Sequence, residues 1–199
     1  MYKKIKDKVK VDGYDYFRQT RYGSLSKGVF MCFWRVNNKG ITVKELAELC
    51  DTPEKLSAWL RYNIKYVTDK EKHDVKEYWQ TEEETLDSRS GDCEDSAILA
   101  KAVLGVLGYT VALIAVSEWE GWHRNEARAH MVCAFIEKGT KTYYHIGNWK
   151  MKECGTTLCD VADKVYPEAK MWQHYLEDKT TVEEWVKASG VWRRTKPKE

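Results

Sequence analysis

The stretch Gly91-Asp92-Cys93-Glu94-Asp95 stands directly before a mostly apolar run, residues 96–107, that is followed by Gly108. Asp92 can cap a helix because Asp95 follows it three residues later, and glycine is a common residue just after a helix end. The pattern therefore predicts a buried helix over about 93–107, with Cys93 in its first turn.

A cysteine in the first turn of a helix is well placed to act as a nucleophile. The unpaired backbone N–H groups there carry roughly +0.5 of a charge, which favours a thiolate and can bind an anion. Free cysteine is also among the most buried residue types, so a structural role for Cys93 fits the same pattern. The choice between these two roles depends on the rest of the chain.

The charge of the chain is nearly balanced, with 33 basic and 31 acidic residues among 199 and a net charge of +2. This balance gives no electrostatic reason to expect nucleic-acid binding, and the length suits one domain. No apolar run approaches the ~18 residues of a membrane span, and the first residues lack the apolar core of a secretion signal. We therefore expect a soluble cytoplasmic protein without membrane or nucleic-acid partners.

The six cysteines are scattered along the chain, at positions 32, 50, 93, 133, 154 and 159. Without an export signal we expect reduced thiols, and the absence of a C-x-x-C pair argues against a structural zinc site. Cys154 and Cys159 are five residues apart, so a disulfide or a metal site at this pair is the alternative.

The order of the predicted elements indicates an α+β fold, because helices precede an antiparallel meander. A final short helix is predicted over 181–189 from a possible capping box, Thr181 with Glu184. The other predicted elements are a strand at 29–36, helices at 42–50, 53–66 and 93–107, and strands at 109–116, 130–137 and 141–149. Residues 68–90 are predicted to be mainly loop.

A candidate base and a candidate orienting group follow Cys93 in the sequence. His130 begins one predicted strand and Asn148 ends the next strand of the same hairpin. Facing residues of paired strands lie about 5 Å apart, so these two side chains can share a hydrogen bond. The sequence thus predicts a Cys93-His130-Asn148 triad, with a structural histidine as the alternative for His130.

Aromatic and amide side chains supply candidates for the oxyanion and substrate contacts. Trp79 and Gln80 are predicted to lie near the oxyanion, together with the backbone N–H of Cys93. Trp119 and Trp122, in the polar segment 117–129, are candidate substrate contacts, with ordinary packing as the alternative.

Four segments resemble the bacterial transglutaminase-like cysteine proteinase family, a member of the papain-like, transglutaminase-core superfamily. They are residues 63–69, 78–86, 91–95 and 130–132. The resemblance covers about 52–150, with 1–51 and 151–199 as extensions of a single domain. It implies a papain-like fold, a peptide or protein substrate, and hydrolysis of peptide or amide bonds, with Cys93 as nucleophile and His130 as base.

One departure from the family concerns the end of the third strand, where the family usually has Asp followed by Asn and this chain has Gly147-Asn148. Asparagine can orient an imidazole, but it does not stabilise imidazolium by charge. Some family members bind calcium through acidic residues beside the cysteine. Asp92, Glu94 and Asp95 match that pattern and suit calcium, although helix capping is the alternative and no other cofactor is expected.

The resulting hypothesis is a thiol hydrolase, a cysteine peptidase that forms a thioester acyl-enzyme through Cys93, His130 and Asn148. The same chemistry also supports transglutaminase-type acyl transfer or deamidation, because these reactions differ in the acceptor or in the bond attacked. A non-catalytic domain of the same fold that binds a peptide or protein is the alternative from another class. The sequence does not indicate the oligomeric state.

Overall fold

The computed structural model describes residues 5–11, 14–20, 32–34, 40–118, 129–176 and 180–196. The helices are α1 Val43–Leu49, α2 Pro53–Asn63, α3 Asp69–His73, α4 Glu82–Ser88, α5 Cys93–Val106 and α6 Leu158–Val165. The strands are β1 Ile5–Val11, β2 Tyr14–Thr20, β3 Cys32–Trp34, β4 Lys65–Tyr66, β5 Ser90–Gly91, β6 Thr110–Ser117, β7 Ala129–Ile136, β8 Tyr143–Gly147, β9 Lys150–Gly155, β10 Met171–Tyr175, β11 Thr181–Ala188 and β12 Val191–Lys196.

Threonine side chains fix the start of most helices in the described ranges. Thr42 and Glu45 form a capping box at α1, which confirms the prediction made for this helix. Thr157 and Asp160 form another at α6. Each cap satisfies backbone donors that the first turn leaves unpaired, so the sequence determines where these helices begin.

Helix α5 is the central helix and begins at Cys93, as predicted. Asp92 and Asp95 form its capping box. Most of its side chains are buried, including Leu99, Val103 and Leu104. A helix that is apolar on nearly every side lies inside a protein, which explains why this run lacks a polar face.

Seven strands form one antiparallel sheet in the order β12-β11-β10-β6-β7-β8-β9. β1, β2 and β3 form a separate sheet, and β4 pairs in parallel with β5. The combination of packed helices with an antiparallel sheet confirms the predicted α+β class.

The seven-stranded sheet is covered on both faces. Met131, Cys133 and Phe135 of β7 belong to the main core cluster, which includes α5. Val132 and Ala134, which alternate with them, belong to a second cluster that includes α6. Burial on both faces explains the continuous apolar run of β7, since neither side of the strand faces water.

Two differences from the sequence prediction concern the less apolar segments. The helix predicted over 181–189 is wrong, because this segment is strand β11, where Trp185 pairs with Trp172 of β10. Its Thr, Val and Trp residues suit a half-buried strand, which overrides the capping signal. The predicted loop 68–90 contains α3 and α4. Of the predicted strand 29–36 the structure describes Cys32–Trp34, which form β3, and the other residues of that prediction lie outside the described ranges.

Within the described ranges, no helix combines the length and apolar character needed to cross a bilayer. Five cysteine side chains are described, and all of them are free thiols.

Candidate active site

The short β4–β5 pair leads the chain into Cys93. Tyr66 lies opposite Gly91, and the backbone N–H of Val67 donates to the Gly91 carbonyl at 3.0 Å. A Cβ on Gly91 would lie 2.5 Å from Asp95 Oδ2 and 2.9 Å from Gln80 Nε2. A glycine is therefore needed at this position to let the first turn of α5 approach the strand.

Gln80 supports this turn. Its backbone N–H donates to Asp95 Oδ1 at 2.8 Å, and its side-chain amide donates to Asp95 Oδ2 and, at 3.2 Å, to the Ser90 carbonyl. Its amide oxygen accepts from the ammonium group of Lys72. The donors of Gln80 are thus engaged in supporting this turn, and its role as an oxyanion donor stays a prediction.

The thiol of Cys93 lies beside a carboxylate. Sγ donates to Glu94 Oε2 at 3.0 Å, and burial followed by the negative charge of Glu94 raises the pKa of the thiol well above its usual range. A backbone hydrogen bond from Met131 acts in the opposite direction. The helix dipole favours a thiolate, but desolvation and Glu94 outweigh it, so Cys93 is a protonated thiol at neutral pH.

His130 lies near the start of β7, next to Met131. A Cβ built on Gly147 would lie 3.1 Å from His130 Nε2 and 2.5 Å from Val132 Cγ1, so the imidazole rests against the backbone of β8. Burial, followed by the charge of Lys152, lowers the pKa of His130 to about 4. The imidazole is therefore neutral at pH 7 and has a lone pair that can accept a proton.

Asn148 is exposed and belongs to the tight turn between β8 and β9. Asn148 and Trp149 have φ angles of 46° and 57°, and Gly147 pairs with Lys150 across the turn. Two successive residues with positive φ define the hairpin turn in which asparagine is favoured. Among the described residues no hydrogen bond joins the Asn148 amide to the His130 ring. Asn148 therefore supplies a positive φ angle that the β8–β9 turn requires, a role that the sequence prediction did not consider.

Two tyrosines connect the surroundings of the thiol with those of the imidazole. Burial, followed by the charges of Cys93, Asp92 and Glu94 and then Tyr166, raises the pKa of Tyr66 to about 12. Tyr166 in turn lies with its ring edge toward His130, at 6.4 Å between ring centroids. The structure thus brings Cys93 and His130 to one region, while a direct thiol–imidazole contact stays a prediction.

Tyr66 and Tyr166 were not among the predicted site residues. Tyr66 packs edge-on against Trp149, at 5.7 Å between ring centroids. The sequence could have indicated Tyr66 as a site residue, because it lies in the segment 63–69, which resembles the family. No sequence signal marked Tyr166, because only the packing of α6 brings it near β7.

The remaining predicted tryptophans contribute differently. Trp79 donates from Nε1 to Glu77 Oε1 at 2.8 Å and packs against Tyr175, at 5.6 Å between ring centroids. Trp119 and Trp122 lie outside the described residues.

Carboxylates are concentrated beside Cys93. Ligand atoms of Asp92, Cys93 and Glu94 lie within 4.8 Å of one another, as do those of Asp69, Asp92 and Asp95. Burial, followed by the neighbouring Glu94, raises the pKa of Asp92 to about 9. Asp92 Oδ1 is buried without a hydrogen-bond partner, so this cluster has an unsatisfied acceptor.

A second thiol–imidazole pair lies on β8 and β9. Cys154 occupies an irregular position in the β8–β9 register, and its Sγ lies 3.2 Å from Nδ1 of the buried His145. Burial lowers the pKa of His145 to about 4 and raises that of Cys154 to about 11. Both groups are therefore neutral at pH 7. Among the described residues, the clusters able to hold a metal do not include Cys154 or Cys159.

A central helix that begins at a cysteine and packs against an antiparallel sheet carrying a histidine defines a mixed α+β class of thiol-containing domains. Within that class, the model of the transglutaminase-like domain family matches residues 40–150, which is more than half of the chain. The chain belongs to this transglutaminase-like domain family.

The chain is also similar to solved structures of LapG from Legionella pneumophila. Calcium-bound LapG is 16% identical with a TM-score of 0.44, over 79% of this chain and 76% of that chain. EGTA-treated LapG is 18% identical with a TM-score of 0.44, over 75% of this chain and 72% of that chain. A comparison with curated proteins found no match.

Proposed function

We propose that this protein is a thiol hydrolase that cleaves a peptide or amide bond through Cys93, with His130 as the base. The observation that carries the proposal is the place of Cys93, in the first turn of the central helix and within the segment that the family model matches. First-turn backbone N–H groups are unpaired within a helix, so the N–H of Cys93 suits an oxyanion.

The reaction begins with a protonated thiol and a neutral imidazole. Sγ of Cys93 bonds to the substrate carbonyl carbon while its proton passes to His130, which gives a tetrahedral oxyanion. The carbon–nitrogen bond then breaks as His130 returns the proton to the leaving amine, and a thioester remains on Cys93. Water attacks this thioester with His130 as base, the carboxylic acid leaves, and the thiol regains its proton.

Acyl transfer to an amine and deamidation use the same thioester. An amine in place of water gives transglutaminase-type transfer, and a glutamine side chain as the acyl donor, with ammonia leaving and water as the acceptor, gives deamidation. We favour hydrolysis because it needs no second substrate besides water.

The carboxylates beside Cys93 fit a hard divalent cation such as calcium. Oxygen ligands suit this ion, and Asp92 Oδ1 is a buried acceptor without a partner. Asp92 and Glu94, whose ligand atoms lie together with Cys93 Sγ, would hold it, whereas both oxygens of Asp95 already accept hydrogen bonds from Gln80, and Asp69 Oδ2 accepts one from the Tyr78 N–H. A bound cation would supply positive charge that offsets the buried carboxylates.

Thermal unfolding with and without calcium tests this site. We expect calcium at about 100 times its Kd to stabilise the protein by about 2.7 kcal/mol, seen as a higher Tm. Asp92→Asn should abolish the shift, whereas the exposed Glu48→Gln should retain it. An equal shift in Asp92→Asn would contradict the assignment.

Alkylation by iodoacetamide at mildly acidic pH, followed by peptide mapping, tests the proposed dyad. We expect Cys93 to react faster than the other cysteines, and His130→Ala to slow it about tenfold or more, since a positioned base contributes about 10²–10⁴-fold. His73→Ala, on α3, is the matched control. If Cys93 reacts no faster than the other thiols, or if His130→Ala leaves its rate unchanged, a non-catalytic binding domain becomes the better interpretation.

A further inference from the structure

Among the residues that the structure describes, no side chain hydrogen-bonds the imidazole of His130, as a third residue usually does for a catalytic histidine. A general base needs its ring held in one orientation, usually by a hydrogen bond that its ring N–H donates to a third side chain. Gly147 offers no side chain, and Asn148 lies in an exposed turn. Burial, followed by the charge of Lys152, lowers the pKa of His130, and no carboxylate of the described ranges contributes to this shift.

Two contacts nevertheless restrict the ring. One is the bare backbone of Gly147, where an added Cβ would lie 3.1 Å from His130 Nε2. The second is Tyr166, whose ring centroid lies 6.4 Å from that of the imidazole at an interplanar angle of 64°. This T-shaped arrangement lies within the range over which aromatic rings attract each other.

The backbone of Tyr166 is itself firmly held. Its N–H donates to the Ala162 carbonyl at 3.0 Å, and its carbonyl accepts from the Ala169 N–H at 3.0 Å. Pro167 follows it, and a residue before proline is pushed out of the helical region. Tyr166 accordingly has φ −134° and ψ 110° and ends α6. These constraints fix the backbone of Tyr166, from which its ring lies edge-on to His130 of β7.

We propose that Tyr166 and the side-chain-free backbone of Gly147 position the His130 imidazole by packing, in place of a third catalytic side chain. This inference rests on the proposed function, because it assigns positioning residues to the proposed base. Tyr166 lies outside residues 40–150, so the segment after the family match completes the site.

Substitutions at Tyr166 distinguish the role of its aromatic ring from the role of its hydroxyl. The readout is the rate of Cys93 alkylation at fixed pH, measured by peptide mapping. Tyr166→Phe keeps the ring and should retain the rate within about twofold, whereas Tyr166→Ala should slow it about tenfold, because small misplacements of a catalytic group cost one to two orders of magnitude. Gly147→Ala should slow it similarly after correction for the fraction folded, because the added Cβ would lie 2.5 Å from Val132 Cγ1 and 3.1 Å from His130 Nε2.

Tyr109→Ala is the matched control for loss of a packed ring. Tyr109 packs edge-on against Phe135 at 5.6 Å, after the end of α5, and does not contact the site. Its substitution should leave the Cys93 rate unchanged after correction for the fraction folded. The NMR titration of the His130 Cε1–H group provides a second readout, and we expect Tyr166→Ala, but not Tyr166→Phe, to move the His130 pKa upward toward its ordinary value.

Several outcomes would overturn the proposal. A wild-type rate in Tyr166→Ala and Gly147→Ala, with a slow His130→Ala, would remove the positioning role and leave the proposed base intact. A Tyr166→Phe variant as slow as Tyr166→Ala would show that the hydroxyl acts instead of the ring edge. An unchanged rate in His130→Ala would reject the proposed function itself. If Tyr166→Ala does not fold, Tyr166→Leu and Gly147→Ala decide the question.

Discussion

Gly91 and Gly105 differ in what a side chain at each would meet. A Cβ on Gly91 would lie 2.6 Å from Asp95 Cβ, whereas one on Gly105 has nothing within 4 Å. We expect Gly91→Ala to destabilise the protein by about 1–3 kcal/mol through overpacking. Gly105→Ala, inside α5, should stabilise it by about 0.5–1 kcal/mol through helix propensity. Urea denaturation measures both, and a loss of similar size in the two variants would contradict the packing around Gly91.

The buried histidines make stability dependent on pH. Burial lowers the pKa values of His130 and His145 to about 4, below the ordinary value of about 6.5 in the unfolded chain. The stabilisation of the folded state by these two neutral imidazoles is therefore complete above about pH 6.5 and is lost as the pH falls toward 4. Each histidine changes the free energy of unfolding by up to about 1.4 kcal/mol per pH unit in this window.

His145→Asn should reduce the change in the free energy of unfolding per pH unit by up to the contribution of one histidine. Denaturant unfolding at several pH values between 4 and 7 measures the slope, and the wild type above pH 6.5 provides the reference. An unchanged slope in the variant would show that His145 is not buried in its neutral form.

The turn between β8 and β9 shows how an element assigns a role to a side chain. Asn148 has a φ of 46°, a conformation that costs most residues about 1–2 kcal/mol but not glycine. We expect Asn148→Gly to keep both the fold and the Cys93 alkylation rate, whereas Asn148→Ala should lower stability by about 1 kcal/mol. If Asn148→Gly slows alkylation as much as His130→Ala does, the side chain orients the imidazole and the predicted triad is correct.

At the scale of elements, the apolar and capped segments were predictable and the polar or solvent-facing ones were not. Helix α5 begins and ends close to its predicted bounds because its cap and its apolar run agree. Residues 181–189 were predicted as a helix from a capping signal. That prediction is wrong because the segment pairs with β10 as strand β11, where a helix cap has no role. The formation of that pair depends on residues far away in the sequence, which local propensity does not include.

The whole molecule depends on the segment after the family match. β10 pairs with β6 inside the large sheet, and Trp172 of β10 is fully buried in the cluster with α6. A chain that ends at Gly155 would lose this cluster and expose an edge of β6, so we expect it to aggregate or to unfold without a cooperative transition.

A chain that ends at Gly190 is the matched control, because it loses only the edge strand β12. It should fold with reduced stability. Circular dichroism during thermal unfolding distinguishes the two chains. Cooperative unfolding of the chain that ends at Gly155 would show that residues 40–155 form a core on their own.

The sequence by itself determined the central helix, the place of Cys93 at its start, the antiparallel strand β7 that carries His130, and the resemblance that the family match supports. These features depend on short-range patterns of capping residues and apolar side chains. Only the tertiary structure decided the state of the thiol, the role of Gln80 in supporting Asp95, and the approach of Tyr166 to His130. Each of these depends on burial or on contacts between residues distant in the chain, and local sequence patterns contain no information on either.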